Sequence, residues 1–267
     1  MVVVAHPGDE AFGFGGAIAS AAATGAYVVV VCVTRGWFDT RLAASSPAPG
    51  GKNRDVKLGA VTWRNLDTVR EDELRRSVAV LGVRVVRMLD YAEGELDRQD
   101  FDQMVGRIVE PIRMHRPEVI LSFGPDGVTG DTDHVVLSRA VRAAYDRAAE
   151  PLAYEDDLDE DQVAWRAAKL YDLVVPPSVI SGLGDRLPAE GYGSAGEPTV
   201  AIELGELAQL KLAAISRHVS QTGSAGPFHD WGTDRRDAWL GTEHYRLAAS
   251  ALPEPVDGEI SLFDGLT

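Results

Sequence analysis

Val2-Val3-Val4-Ala5-His6-Pro7-Gly8-Asp9-Glu10 is the stretch that decides the fold. The valine run reads as a buried parallel strand, because a strand covered on both faces is continuously apolar. A glycine-rich segment from Gly13 to Gly16 and a helical pattern through Ala23 follow, with Gly25 as the helix stop. Tyr27 to Val33 is a near-continuous β-branched run and reads as a second parallel strand. A strand, a loop, a helix and a strand in this order predict an α/β fold, a Rossmann-like, mostly parallel sheet flanked by helices. Ligands of open α/β sheets bind beyond the carboxyl ends of strands. The loop carrying His6, Asp9 and Glu10 is therefore the first place to look for function. His6 and Asp9 are close enough in sequence to reach one ion together.

A second candidate is Gly130-Asp131-Thr132-Asp133-His134, just past a strand predicted over Val119–Phe123. Imidazole, carboxylate and imidazole from His6, Asp9 and His134 would make a catalytic zinc triad with a fourth position open for water. Asp133, beside His134, and Asp126 are candidates to orient a ligand histidine from behind. The Gly13–Gly16 segment lacks the Gly-x-Gly-x-x-Gly spacing of a dinucleotide cradle, and no ribose-binding acid ends the second strand. Those glycines read as a tight turn and close helix–strand packing.

Taken together, Ala5-His6-Pro7-Gly8-Asp9-Glu10, Gly15-Gly16, Gly124 to Gly130, Asp133-His134 and the late Thr242-Glu243-His244-Tyr245-Arg246-Leu247 resemble the LmbE-like, or PIG-L-type, zinc-dependent N-acetylglucosaminyl deacetylases. The resemblance runs from Val2 to about Leu247. It implies the LmbE-like deacetylase fold, Zn²⁺ held by His6, Asp9 and His134, and hydrolysis of an N-acetyl or other N-acyl group on an aminosugar-like or amide-bearing small molecule. The family's first motif usually reads His-Pro-Asp-Asp-Glu, whose first Asp is the general base; here that position is Gly8. The second usually reads His-Pro-Asp-His, whose first His steadies the tetrahedral intermediate; here that position is Asp131. One carboxylate is lost and one gained. Asp131 is accordingly the expected base, with Glu10 as the fallback. The alternative is a catalytically impaired or repurposed member of the fold that binds metal or ligand only. The resemblance also implies substrate contacts by Arg70, by Glu93 or Asp90 and by His244. The other reading of Arg70 is an exposed charge at a helix start, and of His244 a packed structural histidine.

The rest of the chain completes the sheet. Helices are predicted over Arg70–Leu81, Phe101–His115, His134 to about Ala149 and Leu204–His218, and strands over Val83–Leu89, Ala168–Val175 and Thr199–Ile202. Arg35 to Lys52, rich in Gly, Pro and Ser, reads as a loop over the site, where Trp37 either stacks on a ligand or anchors the loop. Glu150 to Asp161 is strongly acidic and reads as a solvated insertion. No linker separates parts of the chain, so one domain over 1–267 is expected, with a Rossmann-like core over about 1–150 and additions over about 151–267.

The 267 residues carry a formal net charge of −15, which argues against nucleic acid and against anionic membranes as partners. Cys32, the one cysteine, lies in an apolar run and rules out an internal disulfide. Neither a signal peptide nor a membrane span is read from the sequence. A cytoplasmic enzyme acting on a small-molecule substrate is expected, and a homo-oligomer stays open.

Overall fold

The computed structural model describes residues 1–36, 66–128, 130–154, 162–176, 196–222, 233–254 and 258–266. Trp37, most of the expected 35–52 loop, the acidic 155–161 stretch and His229 lie outside them. The described strands are β1 (Val2–Val4), β2 (Val29–Thr34), β3 (Val85–Tyr91), β4 (Val119–Phe123), β5 (Lys169–Val174), β6 (Val200–Glu203) and β7 (Thr242–Ser250). They form one sheet in the order β3-β2-β1-β4-β5-β7-β6. From β3 to β5 all neighbours pair in parallel, whereas β7 runs antiparallel to both β5 and β6. The predicted mostly parallel α/β sheet is what the chain builds.

Helices α1 (Asp9–Phe12), α2 (Gly15–Ala23), α3 (Leu66–Val80), α4 (Phe101–His115), α5 (Thr132–Arg147), α6 (Leu207–Ile215), α7 (Val219–Thr222) and α8 (Thr233–Gly241) connect and cover it. Among the described residues, no helix is long and apolar enough to cross a membrane. Every residue of β1, β2 and β4 is buried, as the unbroken apolar runs require of strands covered on both faces. Cys32 is buried and free at the centre of β2.

The order β3-β2-β1-β4-β5 matters most for function. The chain leaves β1 for one side of the sheet and reaches β4 on the other, so a crevice opens outside the carboxyl ends of these two neighbours. His6 follows β1 and His134 follows β4. The fold alone brings together two histidines 128 positions apart.

The glycines that begin α2 serve packing. A Cβ on Gly16 would stand 2.1 Å from Leu204 Cδ2 and 2.9 Å from Glu243 Cδ. The backbone N–H groups of Gly16 and Ala17 each donate to the Glu243 carboxylate at 2.7 Å, and Lys211 Nζ pairs with the same group at 2.8 Å. A helix start that could cradle phosphate is instead taken by a protein carboxylate.

Several boundaries move from the sequence reading. Asp9 and Glu10 form the first turn of α1 rather than a loop. The helix expected from Arg70 already runs through Leu66, so Arg70 lies within it and is buried. Asp90 belongs to β3 and takes φ +64°.

A buried ion pair ties the last described segment to the sheet. Lys169 Nζ, fully buried on β5, meets Glu259 Oε1 at 2.5 Å, and Tyr171 donates its hydroxyl to Glu259 Oε2 at 2.9 Å. Truncating one partner leaves a buried charge alone, at a cost of about 3–5 kcal/mol. Glu259→Ala is expected to lower unfolding stability by that amount in urea titrations, and the joint Lys169→Met, Glu259→Leu variant by much less. Equal losses from both would show that the pair does not carry the attachment.

Candidate metal centre

The residues beyond β1 and β4 meet at one point. His134 Nε2 lies 3.2 Å from His6 Nδ1, and Asp9 Oδ2 lies 3.5 Å from His6 Nδ1 and 3.3 Å from His134 Nε2. The opposite nitrogen of each ring is fixed by a group that can only accept. His6 Nε2 is 3.0 Å from the Asp133 carboxylate, and His134 Nδ1 is 3.0 Å from the Gly127 carbonyl. These partners assign the ring protons to Nε2 of His6 and Nδ1 of His134. The two remaining imidazole lone pairs and a carboxylate oxygen then point at one another, which is stable only around positive charge.

This donor set fits zinc. Bonds of about 2.0–2.1 Å from one ion to N and O ligands place tetrahedral neighbours about 3.3–3.4 Å apart. The three observed separations, 3.2, 3.3 and 3.5 Å, bracket that edge. The same pull for positive charge shows in the titration of the groups. Burial opposes a charge on His6, yet the Asp133 and Asp9 carboxylates raise its pKa well above the ordinary histidine value. Burial likewise opposes a charge on His134, and Asp9 raises it. For Asp9 burial pushes upward, but His134 and His6 hold its carboxyl well below the usual carboxylate range.

The walls of the cluster are built locally. Asp133 accepts from the backbone N–H of Gly94 at 2.6 Å and of Leu96 at 3.1 Å as well as from His6. It holds the His6 ring on the side away from Asp9. The His134 ring stacks on Phe123, the last residue of β4, with centroids 3.9 Å apart and planes 6° from parallel. Asp126 does not meet a ligand histidine directly. Its Oδ1 accepts from Val128 N at 3.1 Å and shapes the turn that presents the Gly127 carbonyl.

Asp131 is exposed and caps α5. Its Oδ1 accepts from the N–H groups of Asp133 at 2.8 Å and His134 at 3.2 Å. A carboxylate oxygen of Asp131 and ligand atoms of His6 and His134 all lie within 4.8 Å of one another. Asp9 is closer to both rings, so it is the better third ligand and Asp131 stands just outside.

Glu10 is placed differently from the fallback base expected of it. It is fully buried, with Oε2 accepting from Gly8 N at 2.7 Å and Oε1 bonded to Ser77 Oγ and to His218 Nε2, each at 2.6 Å. All its visible partners are protein groups, and it ties α1 to α3 and to the residue preceding α7. Arg70 and Glu93, expected on the substrate, bond each other. Arg70 Nη1 reaches Glu93 Oε2 at 2.6 Å and also the Gly36 carbonyl. Arg70 is buried, which excludes the exposed helix-start charge. His244 lies on β7 opposite Val174 and lines a cleft with Phe12, Gly13 and Trp239, outside the His6–Asp9–His134 cluster. Burial lowers its pKa. Trp37 is outside the described residues. Sequence reasoning missed Gly127, Phe123, Ser77 and His218, whose parts are set by contacts distant in sequence.

A family profile described as "PIG-L: GlcNAc-PI de-N-acetylase" matches residues 1–145. The 1D-myo-inositol 2-acetamido-2-deoxy-alpha-D-glucopyranoside deacetylase of Geodermatophilus obscurus is 28% identical over 298 residues, spanning 100% of this chain and 97% of that protein. The N,N'-diacetylchitobiose deacetylase from Pyrococcus horikoshii superposes with a TM-score of 0.67 at 17% identity, covering 92% of this chain and 82% of the other. The 4-carboxy-2-hydroxymuconate hydratase from Pseudomonas putida KT2440 superposes at 0.65 and 17% identity, covering 96% and 98%. These two likenesses concern the fold alone.

Because Asp133 fixes the tautomer and tilt of His6, Asp133→Asn is expected to weaken zinc binding about 10- to 100-fold. Competition titration against a chromophoric chelator measures this. Unchanged affinity would show that His6 is held without the carboxylate.

Proposed function

The chain belongs to the PIG-L family, described as GlcNAc-PI de-N-acetylase, and we propose that it is a zinc-dependent hydrolase removing an N-acetyl group from an aminosugar-bearing small molecule. The observation that carries this reading is the convergence of His6 Nδ1, His134 Nε2 and Asp9 Oδ2 within 3.5 Å of one another. Full-length similarity to a deacetylase of an N-acetylated glucosamine conjugate supports the substrate class.

His6, Asp9 and His134 would hold the ion. When bound, Zn²⁺ lowers the pKa of water towards about 7 and polarises a carbonyl. Asp131 is the carboxylate left to move the proton. Its Oδ1 is engaged by two backbone N–H groups, which fixes the side chain and leaves the other oxygen to act. In the proposed reaction that oxygen takes the proton of the attacking water as the new C–O bond forms. It returns a proton to the nitrogen as the C–N bond breaks, giving acetate and the free amine. The paired Arg70 and Glu93 border the same crevice through the 93–94 turn, whose Gly94 N–H bonds Asp133. They would shape the sugar pocket together.

A second reading, a member that binds metal or ligand without deacetylating, draws on Gly8 and Asp131 at the family's two acid–base positions. One assay separates them. Acetate release from 1D-myo-inositol 2-acetamido-2-deoxy-alpha-D-glucopyranoside and from N-acetylglucosamine is expected with zinc present and lost in His134→Ala. Asp131→Asn keeps a good helix cap and should lower kcat about 10²- to 10⁴-fold at unchanged zinc content. A full rate in Asp131→Asn would remove Asp131 as the base. No acetate from any N-acetylated sugar would leave the second reading standing.

A further inference from the structure

Gly8 lies between His6 and Asp9 and takes φ +113°. A Cβ there would stand 2.6 Å from Gln221 Oε1 and 2.9 Å from its Nε2. Both distances are well inside van der Waals contact, so the Gln221 carboxamide fills the space that a side chain at position 8 would need. The two residues are 213 positions apart in sequence (221 less 8).

Gln221 is held there by a chain of bonds that begins at Gly8 itself. Gly8 N donates to Glu10, Glu10 is bonded to His218, and the His218 carbonyl accepts from Gln221 N at 3.0 Å. From the other side, Ser220 donates its N–H at 2.8 Å and its hydroxyl at 2.6 Å to the Glu73 carboxylate of α3. The short helix α7 is thus pinned against the loop that supplies two of the three cluster donors. Gln221 Oε1 is buried and, among the described residues, meets no donor. A buried amide oxygen without a donor is penalised, and the penalty is recovered when a bound molecule presents an O–H or N–H to it.

We propose that Gln221 is a further catalytic residue, taking the place of a side chain at position 8 and accepting a hydrogen bond from the attacking water. The role rests on the hydrolase reading above. A neutral carboxamide orients the water but does not take its proton, so the proton still passes to Asp131 and no bond to Gln221 forms or breaks. The division of labour follows from chemistry: orientation from the β1 side of the crevice by an amide, proton transfer from the β4 side by a carboxylate.

The contact is tested first without turnover. In a double-mutant cycle on the melting temperature of metal-free protein, Gly8→Ala should cost markedly more stability with Gln221 present than in the Gln221→Ala background. Additive losses would overturn the juxtaposition. The role is then read from kinetics at matched zinc content. Gln221→Ala should lower kcat for acetate release about 10- to 100-fold, while Gln221→Glu, which keeps the acceptor and adds a titrating group, should restore much of the rate and alter the acid limb of the pH profile. A wild-type kcat in Gln221→Ala would overturn this role alone. A wild-type chain that releases no acetate would overturn the hydrolase reading and this role with it.

Discussion

Two imidazole nitrogens and a carboxylate oxygen held within 3.5 Å of one another call for positive charge among them, and the walls of the crevice hold them in that arrangement. Each ring is gripped on its far side, His6 by Asp133 and His134 by the Gly127 carbonyl and the Phe123 face. Asp9 is fixed through its oxygen, which also accepts from His6 N at 2.7 Å. The grips on His134 come from the β4–α5 connection and the one on Asp9 from the turn after β1. The Asp133 grip on His6 and the meeting of the two rings require β1 and β4 to be neighbours, and the sheet order provides that. Preorganisation of this kind would let an ion replace the ring protons without ordering the chain.

A second layer of buried charge stabilises the first. Glu10 is adjacent to a cluster residue and carries the same functional group as Asp9, yet their environments set them apart. Glu10 is wholly enclosed by Gly8, Ser77 and His218, whereas Asp9 faces the two rings. Burial opposes a charge on His218, but Glu10 raises its pKa, so the two form a buried couple. Such a pair adds little net stability against an apolar substitute. Its effect here is to fix where α1, α3 and α7 meet, and so to set the position of Gly8 and Gln221.

The sheet was legible because buried parallel strands write themselves as β-branched runs; β4 matches its predicted span residue for residue. Helix α4 does too, with Asp100 as its cap and Pro117 beyond its end. The donors His6, Asp9 and His134 were legible because their motifs follow strands. Arg70 was harder. The sequence leaves open a substrate contact and an exposed helix-start charge, and only the Glu93 and Gly36 partners, supplied by other elements, show it buried. The antiparallel turn of β7 was also hidden, since its alternating pattern says nothing about which neighbour it pairs with. Contacts such as Gly8 with Gln221 leave no local signal at all.

Under the proposed reading, glycine at position 8 and aspartate at position 131 make better physical sense together than apart. A side chain at position 8 would have to displace the Gln221 carboxamide, and the positive φ there disfavours any side chain. A carboxylate at position 131 meets the opposite conditions. It begins α5, where two backbone N–H groups receive it and the helix dipole favours its negative charge. The negative charge beside the cluster is thus kept in number and moved from a crowded turn to a helix start that holds it. A neutral amide takes over the vacated space, which avoids a further anion next to Asp9 and Asp133. Under the proposed reaction, Gln221 would fill the space beside Gly8, and Asp131 would act from the fixed position its cap bonds give it.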